Sequence, residues 1–445
     1  MTSYDAQVIV VGGGPGGASA AWHLATLGLD VLVLDRARFP RDKTCAEYLS
    51  PEASRLLSVM GALDGAEAAG AAQLGGMLVR APSGDVIAGH FAAGHGFRGF
   101  RDRGLALRRR VLDALLLERA RLAGARVEEG AHVVDVARAG IGAGGGAAAG
   151  VVVRTEGGGT RTLRAPLVVG ADGLRSVVGR RLGLTRRWPW PRRVAFQCHV
   201  RGLEMPLGEV SFGGRPPAAR GPMGRPPMGE MHAEADGSYV GIAHVDGGLT
   251  NVAMVAPAAV ARRGLAEHGS PAAYLDAWMR RAPQLAARWA AAERAGPVRC
   301  TGPFASYTRR AWAPGAALVG DAADFFDPFT GEGVYSALRG GELLAPYAAE
   351  AARARLAGDD RSAGRALAEY ERARRRTFRG KWRVERLIAL SVARPALMNR
   401  AARVLSRRGD MADLLVGVAG DFVPPAAVLN PRYLWRLFLS PAVAD

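Results

Sequence analysis

The first 35 residues constrain the fold more than any other stretch of the chain. Val8 to Val11 is an unbroken β-branched run, short enough for a strand buried on both faces of a parallel sheet. Gly12-Gly13-Gly14-Pro15-Gly16-Gly17 follows at once, so Gly12, Gly14 and Gly17 satisfy the pattern G-x-G-x-x-G. Ala18 to Leu27 then reads as a helix whose first residues are small enough to lie close to a sheet. Leu29 to Leu34 is a second strand, and it ends on Asp35. In such a unit the first glycine permits a tight turn, the second lets a pyrophosphate approach the backbone, and the third lets helix and strand close up. The helix N-terminus presents free N–H groups and the positive end of its dipole to the phosphates. An acid about 20 residues after the turn is placed to bond ribose hydroxyls, and Asp35 stands there. Glycine is abundant here, so the pattern alone is weak. Strand, helix and acid at the right spacing make it a dinucleotide-binding turn.

A chain of 445 residues with 49% hydrophobic content can bury a large core and is expected to form intimately joined domains. Cys45, Cys198 and Cys300 show neither an even count nor a C-x-x-C spacing, which argues against a disulfide framework or a zinc site. No leader-like n-region and h-region precedes the first strand, and no uncharged apolar run approaches about 18 residues. A cytoplasmic protein is expected. The net charge of +18 has two readings: compositional drift toward arginine, or attraction to something anionic, whether cofactor phosphates, a carrier-borne substrate or a lipid surface. Nucleic acid is not expected, since no basic stripe with interleaved aromatics lies on a binding motif.

Beyond Asp35 the chain runs through a proline- and charge-rich loop, where Arg36, Arg41 and Lys43 can offset cofactor charge, Arg41 foremost. Pro51 to Leu63 is predicted helical, residues 74–92 form a hairpin, and Leu105 to Leu122 has the apolar stripe of an amphipathic helix. Ala137 to Gly150 is nearly pure Gly/Ala and reads as a connection. Leu163 to Val169 is a strand running into Gly170-Ala171-Asp172-Gly173. From about residue 185 to 300 short strands recur (194–200, 209–212, 229–232, 239–245, 251–255), with a Gly/Pro loop at 213–227 and then helices at 258–267 and 271–292. This pattern is an antiparallel sheet inserted into the nucleotide fold, suited to roof a substrate. Ala316 to Val319 returns to the parallel pattern and ends on Gly320-Asp321. Asp327-Pro328-Phe329-Thr330-Gly331-Glu332-Gly333 leads into a helix from Val334 to Ala352, and a basic helical region follows from about 365.

The glycine turn, Gly170-Ala171-Asp172-Gly173 and Gly320-Asp321 with its Pro-x-Thr-Gly-x-Gly segment occur here in one order. Together they resemble the para-hydroxybenzoate-hydroxylase-type FAD-dependent oxidoreductases, and within them the geranylgeranyl-reductase-like branch. The resemblance covers about residues 5–185 and 298–350 well and the roof only loosely. It implies an α/β fold: a doubly wound, glutathione-reductase-like Rossmann domain for FAD, an inserted antiparallel sheet domain over the substrate, and a helical C-terminal extension. The corresponding boundaries are 1–185 with 298–355 for the FAD domain (including the hairpin 74–92), 186–297 for the sheet domain, and 356–445 for the basic helices. By the same resemblance Gly12, Gly14, Pro15 and Gly17 hold the FAD pyrophosphate and Asp35 the adenosine ribose, with Arg36, Arg41 and Val133 alongside. Arg109, four residues before Asp113 on the long helix, reaches the cofactor. Asp172 stabilises the fold around it, and Gly320 and Asp321 meet the ribityl chain. Pro328, Gly331, Gly333 and Val334 bring a helix N-terminus to the flavin pyrimidine edge, where a positive dipole end stabilises charge on the reduced ring.

The loop Phe39 to Cys45 is close to that branch's loop, in which a cysteine lies near the flavin; Cys45 and the bulkier Tyr48 are therefore candidate catalytic groups on the flavin face. With Cys45 an inert buried thiol is an equal alternative. Lipid-saturating members carry Tyr-x-Trp-x-Phe-Pro on the roof sheet, a motif not found between 194 and 256. Halogenases carry Trp-x-Trp-x-Ile-Pro; Trp188-Pro189-Trp190-Pro191 mimics it, but Arg192-Arg193 stand where Ile-Pro should be. The expected activity is therefore an NAD(P)H-dependent monooxygenase acting on a bulky organic or lipophilic small molecule, slightly ahead of a C=C reductase. An electron-transfer flavoprotein is a third reading, and halogenation is disfavoured. No second glycine fingerprint exists, so the nicotinamide is expected to bind transiently. For the basic C-terminal helices two readings stand: helices packed over the FAD domain, and a peripheral contact with the inner membrane face.

Overall fold

The computed structural model describes residues 4–139, 146–155, 157–189, 192–204 and 227–439. Val8–Val11 forms the predicted strand, fully enclosed, with Leu167–Gly170 and Val31–Asp35 as its parallel neighbours. Arg126–Glu129 pairs beyond Val31–Asp35, Ala316–Leu318 beyond Leu167–Gly170, and Trp312–Ala313 closes the edge antiparallel. The continuous β-branched runs follow from this position, because both faces are covered and no polar face is needed.

The helix after the turn starts earlier than predicted, at Pro15, and ends at Thr26. Proline fits its first turn because no intrahelical N–H is required there. A side chain at Gly17 would place its Cβ 1.8 Å from the Gly12 carbonyl, and Gly12 itself holds φ +102°. Both glycines are thus required by the backbone itself. This helix packs against Gly333–Leu356, and Ser19 Oγ donates to the Leu338 carbonyl at 2.7 Å. A Cβ on Gly341 would lie 2.6 Å from Ala20 N, which explains the small residues on both helices.

An eight-stranded sheet forms the roof. Its main path runs Glu293–Arg294, Arg193–Arg201, Leu249–Pro257, Tyr239–Val245, Gly229–Ala233, Gly76–Arg80 and Val86–His90. The hairpin expected with the FAD domain therefore belongs to the roof: Gly76–Arg80 pairs parallel with Gly229–Ala233, from Met77 opposite Gly229 to Arg80 opposite His232. Its alternating pattern gave the hairpin, but pairing across some 150 residues leaves no local trace. The helix expected from Leu105 begins at Arg109, because Gly104–Ala106 is instead a strand pairing with Tyr48–Leu49 and Ala72–Leu74. The long helix expected at 271–292 divides into Pro271–Arg281 and Pro283–Ala290, since Pro283 cannot donate to the preceding turn. The strand expected at 209–212 and the Gly/Pro loop at 213–226 lie outside the described residues.

The C-terminal region consists of helices, of which Asp360–Val392 is the longest. It runs along Gly333–Leu356 and the nucleotide-sheet edge strand Trp312–Ala313, with Val384 and Val392 packed in one cluster with Met231 and Tyr239 of the roof, so the reading of helices packed on the FAD-binding part describes its position. Among the described residues no helix is long and apolar enough to cross a membrane.

Candidate active site

One cavity of 730 Å³ runs from the glycine turn to the underside of the roof. At its first end lie Gly12, Gly14, Pro15, Asp35, Arg36 and Val133. Gly17 is not on the wall; it acts through the close packing just described. Asp35 accepts from Gly13 N at 2.7 Å and from Ala37 N at 2.8 Å, so its carboxylate ties the turn to the strand's end. A Cβ at Gly14 would stand 3.7 Å from both Arg109 Nη2 and Arg41 Nη2, which puts two guanidinium groups over the turn.

Those arginines are held by one carboxylate. Arg109 makes a two-pronged pair with Asp113 (2.6 and 2.8 Å), and Arg41 Nη1 approaches the same carboxylate at 3.0 Å. Burial, the largest single influence, acts to lower the Arg109 pKa, but Asp113 and Cys45 together outweigh it and keep the guanidinium charged. Lys43 also lines the wall; burial, then repulsion from Arg109, draws its ammonium below the ordinary value. Among the described residues neither Lys43 nor Arg36 has a carboxylate partner within ion-pair distance. A crowded positive wall beside a helix N-terminus with no acid in its first turn suits a pyrophosphate.

Asp321 lies on the same wall, in the short 3₁₀ turn Gly320–Ala322, with Gly320 at φ +62°. Burial raises its pKa, with Lys43 and Arg109 opposing, and it has no hydrogen bond among the described residues. Asp172 lines the cavity too, but its Oδ2 caps the helix Val177–Arg181 by accepting from Val177 N at 2.5 Å, while burial raises its pKa. Pro328, Gly331, Gly333 and Val334 close this part, with Gly331 at φ +71° turning the chain into the helix Gly333–Leu356. The glycine cradle, the cationic wall and the unbonded Asp321 together fit FAD along its length.

The two candidate catalytic residues separate. Cys45 lines the cavity; burial pushes its thiol up, and Glu47 N lies 3.3 Å from its sulfur. Tyr48 is not on the wall. Its ring lies behind Gly331, where a Cβ would be 2.8 Å from Tyr48 Cδ1, and stacks on Phe91 at 6.0 Å. It shapes the turn before the helix from outside the chamber.

Two further acids tie the site together. Glu47, buried at φ +62°, accepts from Arg109 N (2.9 Å) and Asn251 Nδ2 (3.0 Å), and its Oε2 is 2.7 Å from His199 Nε2. It joins the cofactor arginine to two roof strands. Asp327 accepts from the Tyr239 hydroxyl (2.6 Å) and from Phe329 N, and pairs with buried Arg193 at 3.1 Å. Beyond these residues the cavity widens into a chamber walled by Met231, Gly241, Phe304, Phe325, Phe378 and Trp382. The last two come from the C-terminal helix Asp360–Val392. On the roof strand Tyr239–Val245, Gly241 and Ala243 occupy the two- and four-residue spacings at which the lipid-saturating motif has Trp and Phe after its tyrosine. Trp188 packs on Tyr307 at 4.8 Å and beneath Arg386, a connector between strand and helix.

Residues 5–200 match the FAD binding domain family, the same part of the chain that builds the glycine cradle and the arginine wall. With the site described above, this match makes the protein an FAD-dependent oxidoreductase. It is 28% identical over 444 residues to digeranylgeranylglycerophospholipid reductase 2 of Methanopyrus kandleri, covering 95% of this chain and 94% of the relative. It is 28% identical over 437 residues to the menaquinone reductase of Mycolicibacterium smegmatis, covering 97% and 95%. Among solved structures, the myxobacterial chondrochloren halogenase CndH superposes with a TM-score of 0.70 at 27% identity, covering 84% of this chain and 80% of that one. This flavoprotein therefore shares the architecture of reductases and halogenases alike, and its own residues must decide the reaction.

Proposed function

We propose that this flavoprotein saturates a carbon–carbon double bond in a bulky, lipophilic small molecule, with NAD(P)H as transient reductant. The observation that carries the reading is the continuity of the cavity: the wall that fits FAD opens directly into a chamber of aromatic and aliphatic side chains closed by the roof. Relatives matched over nearly their whole length and named for the reduction of a geranylgeranyl lipid and of menaquinone support it. The apolar chamber displaces water and positions an uncharged chain.

In this reading Gly12, Gly14, Pro15 and Gly17 with the helix N-terminus receive the pyrophosphate, flanked by Arg36, Arg41 and Arg109. Asp35 and Val133 take the adenosine end, and Gly320 and Asp321 the ribityl hydroxyls. Pro328, Gly331, Gly333 and Val334 aim the second helix at the ring, and Asp172 holds the adjoining turn. When bound, FAD supplies two-electron transfer between nicotinamide and substrate. Cys45 presents a neutral thiol to the chamber, and Asp327 fixes the Tyr239 ring in its wall.

A second reading, oxygen-dependent hydroxylation or epoxidation, is favoured by Gly241 and Ala243 standing where the lipid-saturating motif has Trp and Phe. The two separate in one assay. Reduced holoenzyme mixed anaerobically with menaquinone or with digeranylgeranylglycerophospholipid should yield a product with one side-chain double bond fewer, still two hydrogens heavier after any quinol is reoxidised. No product without oxygen, together with substrate-dependent oxygen consumption, would overturn the reductase in favour of the monooxygenase.

A further inference from the structure

Saturating a double bond requires a proton as well as an electron pair, and the C-terminal helix Asp360–Val392 brings a carboxyl to the chamber. Glu385 lines the cavity one turn beyond Trp382 and Lys381. The cations around it are already engaged. Lys381 Nζ lies 2.6 Å from Glu332 Oε2 and also contacts Asp421, Arg374 pairs with Asp324 and Glu371, and Arg193 pairs with Asp327. Arg386, next on the helix, lies over the Trp188 and Phe326 rings. Glu385 has neither a hydrogen bond nor an ion pair among the described residues, and the neighbouring Arg386 is held by its ring contacts.

The charge balance follows. Glu332 and Asp421 are buried against a single ammonium, Lys381, and the half-buried Glu385 draws on the same charge, so ionising all three carboxyls together is opposed. From other elements, Asp324 and Asp327 of the segment before the flavin-facing helix add like charge, while Tyr239 and Arg193 of the roof are committed to Asp327. Burial first, then repulsion from Asp421, Asp324 and Asp327, pushes the Glu385 carboxyl up to about 7 against the pull of Lys381. About half of this carboxyl therefore carries a proton at neutral pH.

We infer that Glu385 is the acid that protonates the substrate in the C=C reduction, an assignment that rests on the reductase reading above. The step balances as follows. The substrate π bond is consumed; one carbon receives a hydrogen with both electrons from the bound reductant, and the other receives the Glu385 proton. The carboxylate left behind takes a new proton from solvent, and the nicotinamide coenzyme restores the electrons.

The test uses the full chain with and without FAD. Without FAD, part of the infrared band of protonated carboxyls should fade in the wild type as pH rises through about 7, and Glu385→Gln should lack that titrating part. With FAD, Glu385→Gln should keep its flavin but saturate menaquinone about 10²–10⁴-fold more slowly. The wild-type rate should fall as pH rises through about 7, since the acid works only while protonated, and the variant should lose that limb. Glu385→Asp should restore part of the rate with a displaced limb. An unchanged infrared band, or a Glu385→Gln rate and pH limb equal to wild type, would overturn the assignment. Failure of the wild type itself to form saturated product would instead overturn the reductase reading beneath it, whatever the infrared result.

Discussion

Replacing Lys381 by methionine tests how the C-terminal helix is fastened to the flavin-facing helix. The ammonium lies 2.6 Å from Glu332 Oε2, also contacts Asp421, and stands 4.5 Å from the centre of the Tyr335 ring; all of this is enclosed. Methionine keeps most of the stem's volume, so lost packing contributes little. Two carboxylates would instead be left buried without their cation, a change that costs about 3–5 kcal/mol for a single broken buried pair. The cost must depend on pH, and its sign follows from the carboxyls. Burial raises the pKa of both Glu332 and Asp421, while Lys381 pulls each down. Without the lysine both rise further. A carboxyl whose folded pKa exceeds its unfolded value stabilises the fold at low pH and loses that contribution as pH rises through the folded pKa. Lys381→Met should therefore lie closer to wild type in guanidinium unfolding at an acid pH than at an alkaline one, where the deficit is largest. Adding Glu332→Gln and Asp421→Asn should remove most of the deficit at the higher pH. A deficit equal at both pH values, or none at either, would refute this account of the cluster.

Asp321→Ala and Arg109→Ala should each weaken FAD binding about 10- to 150-fold, the range for a lost charge-assisted hydrogen bond, measured as flavin retained after dialysis. Wild-type retention would remove that residue from the cofactor wall. At Gly241 a Cβ meets only Met231 at 3.7 Å and the Ala253 carbonyl at 4.0 Å, so Gly241→Trp should fold and bind FAD normally while narrowing the chamber. Its rate should fall steeply for bulky substrates and little for slender ones; equal loss for both would place Gly241 off the substrate's path.

Local pattern carried the nucleotide half of this protein well. Val8–Val11, the three glycines, Asp35 and the Gly320-Asp321 turn are short-range signals, each enforced by a backbone that tolerates few alternatives. What escaped was the matching of distant partners. Glu47 sits between Cys45 and Tyr48 in sequence, yet its meaning comes from Arg109, His199 and Asn251, each on another element. Lys381 and Arg374 read as part of a basic run, but the acids that bury them come from residues 324–332, 371 and 421. A charge run shows how many cations a helix has, not which ones meet carboxylates inside. Tyr48 lies three residues from Cys45, but the backbone turns at Glu47 (φ +62°) between them and the ring ends up behind Gly331.

The parallel pairing of Gly76–Arg80 with Gly229–Ala233 has a consequence for how the molecule is made. Neither sheet is complete when its first strands leave the ribosome. The nucleotide sheet waits for Ala316–Leu318, and the early hairpin waits for strands synthesised long after it. Such distant pairings are slow to form and leave strand edges open in the meantime. Excising the inserted segment at 186 and 297 would strip the hairpin of its partner and expose Gly76–Arg80 as a bare edge. The two halves are threaded through each other, so the chain has to fold, and be inherited, as one piece.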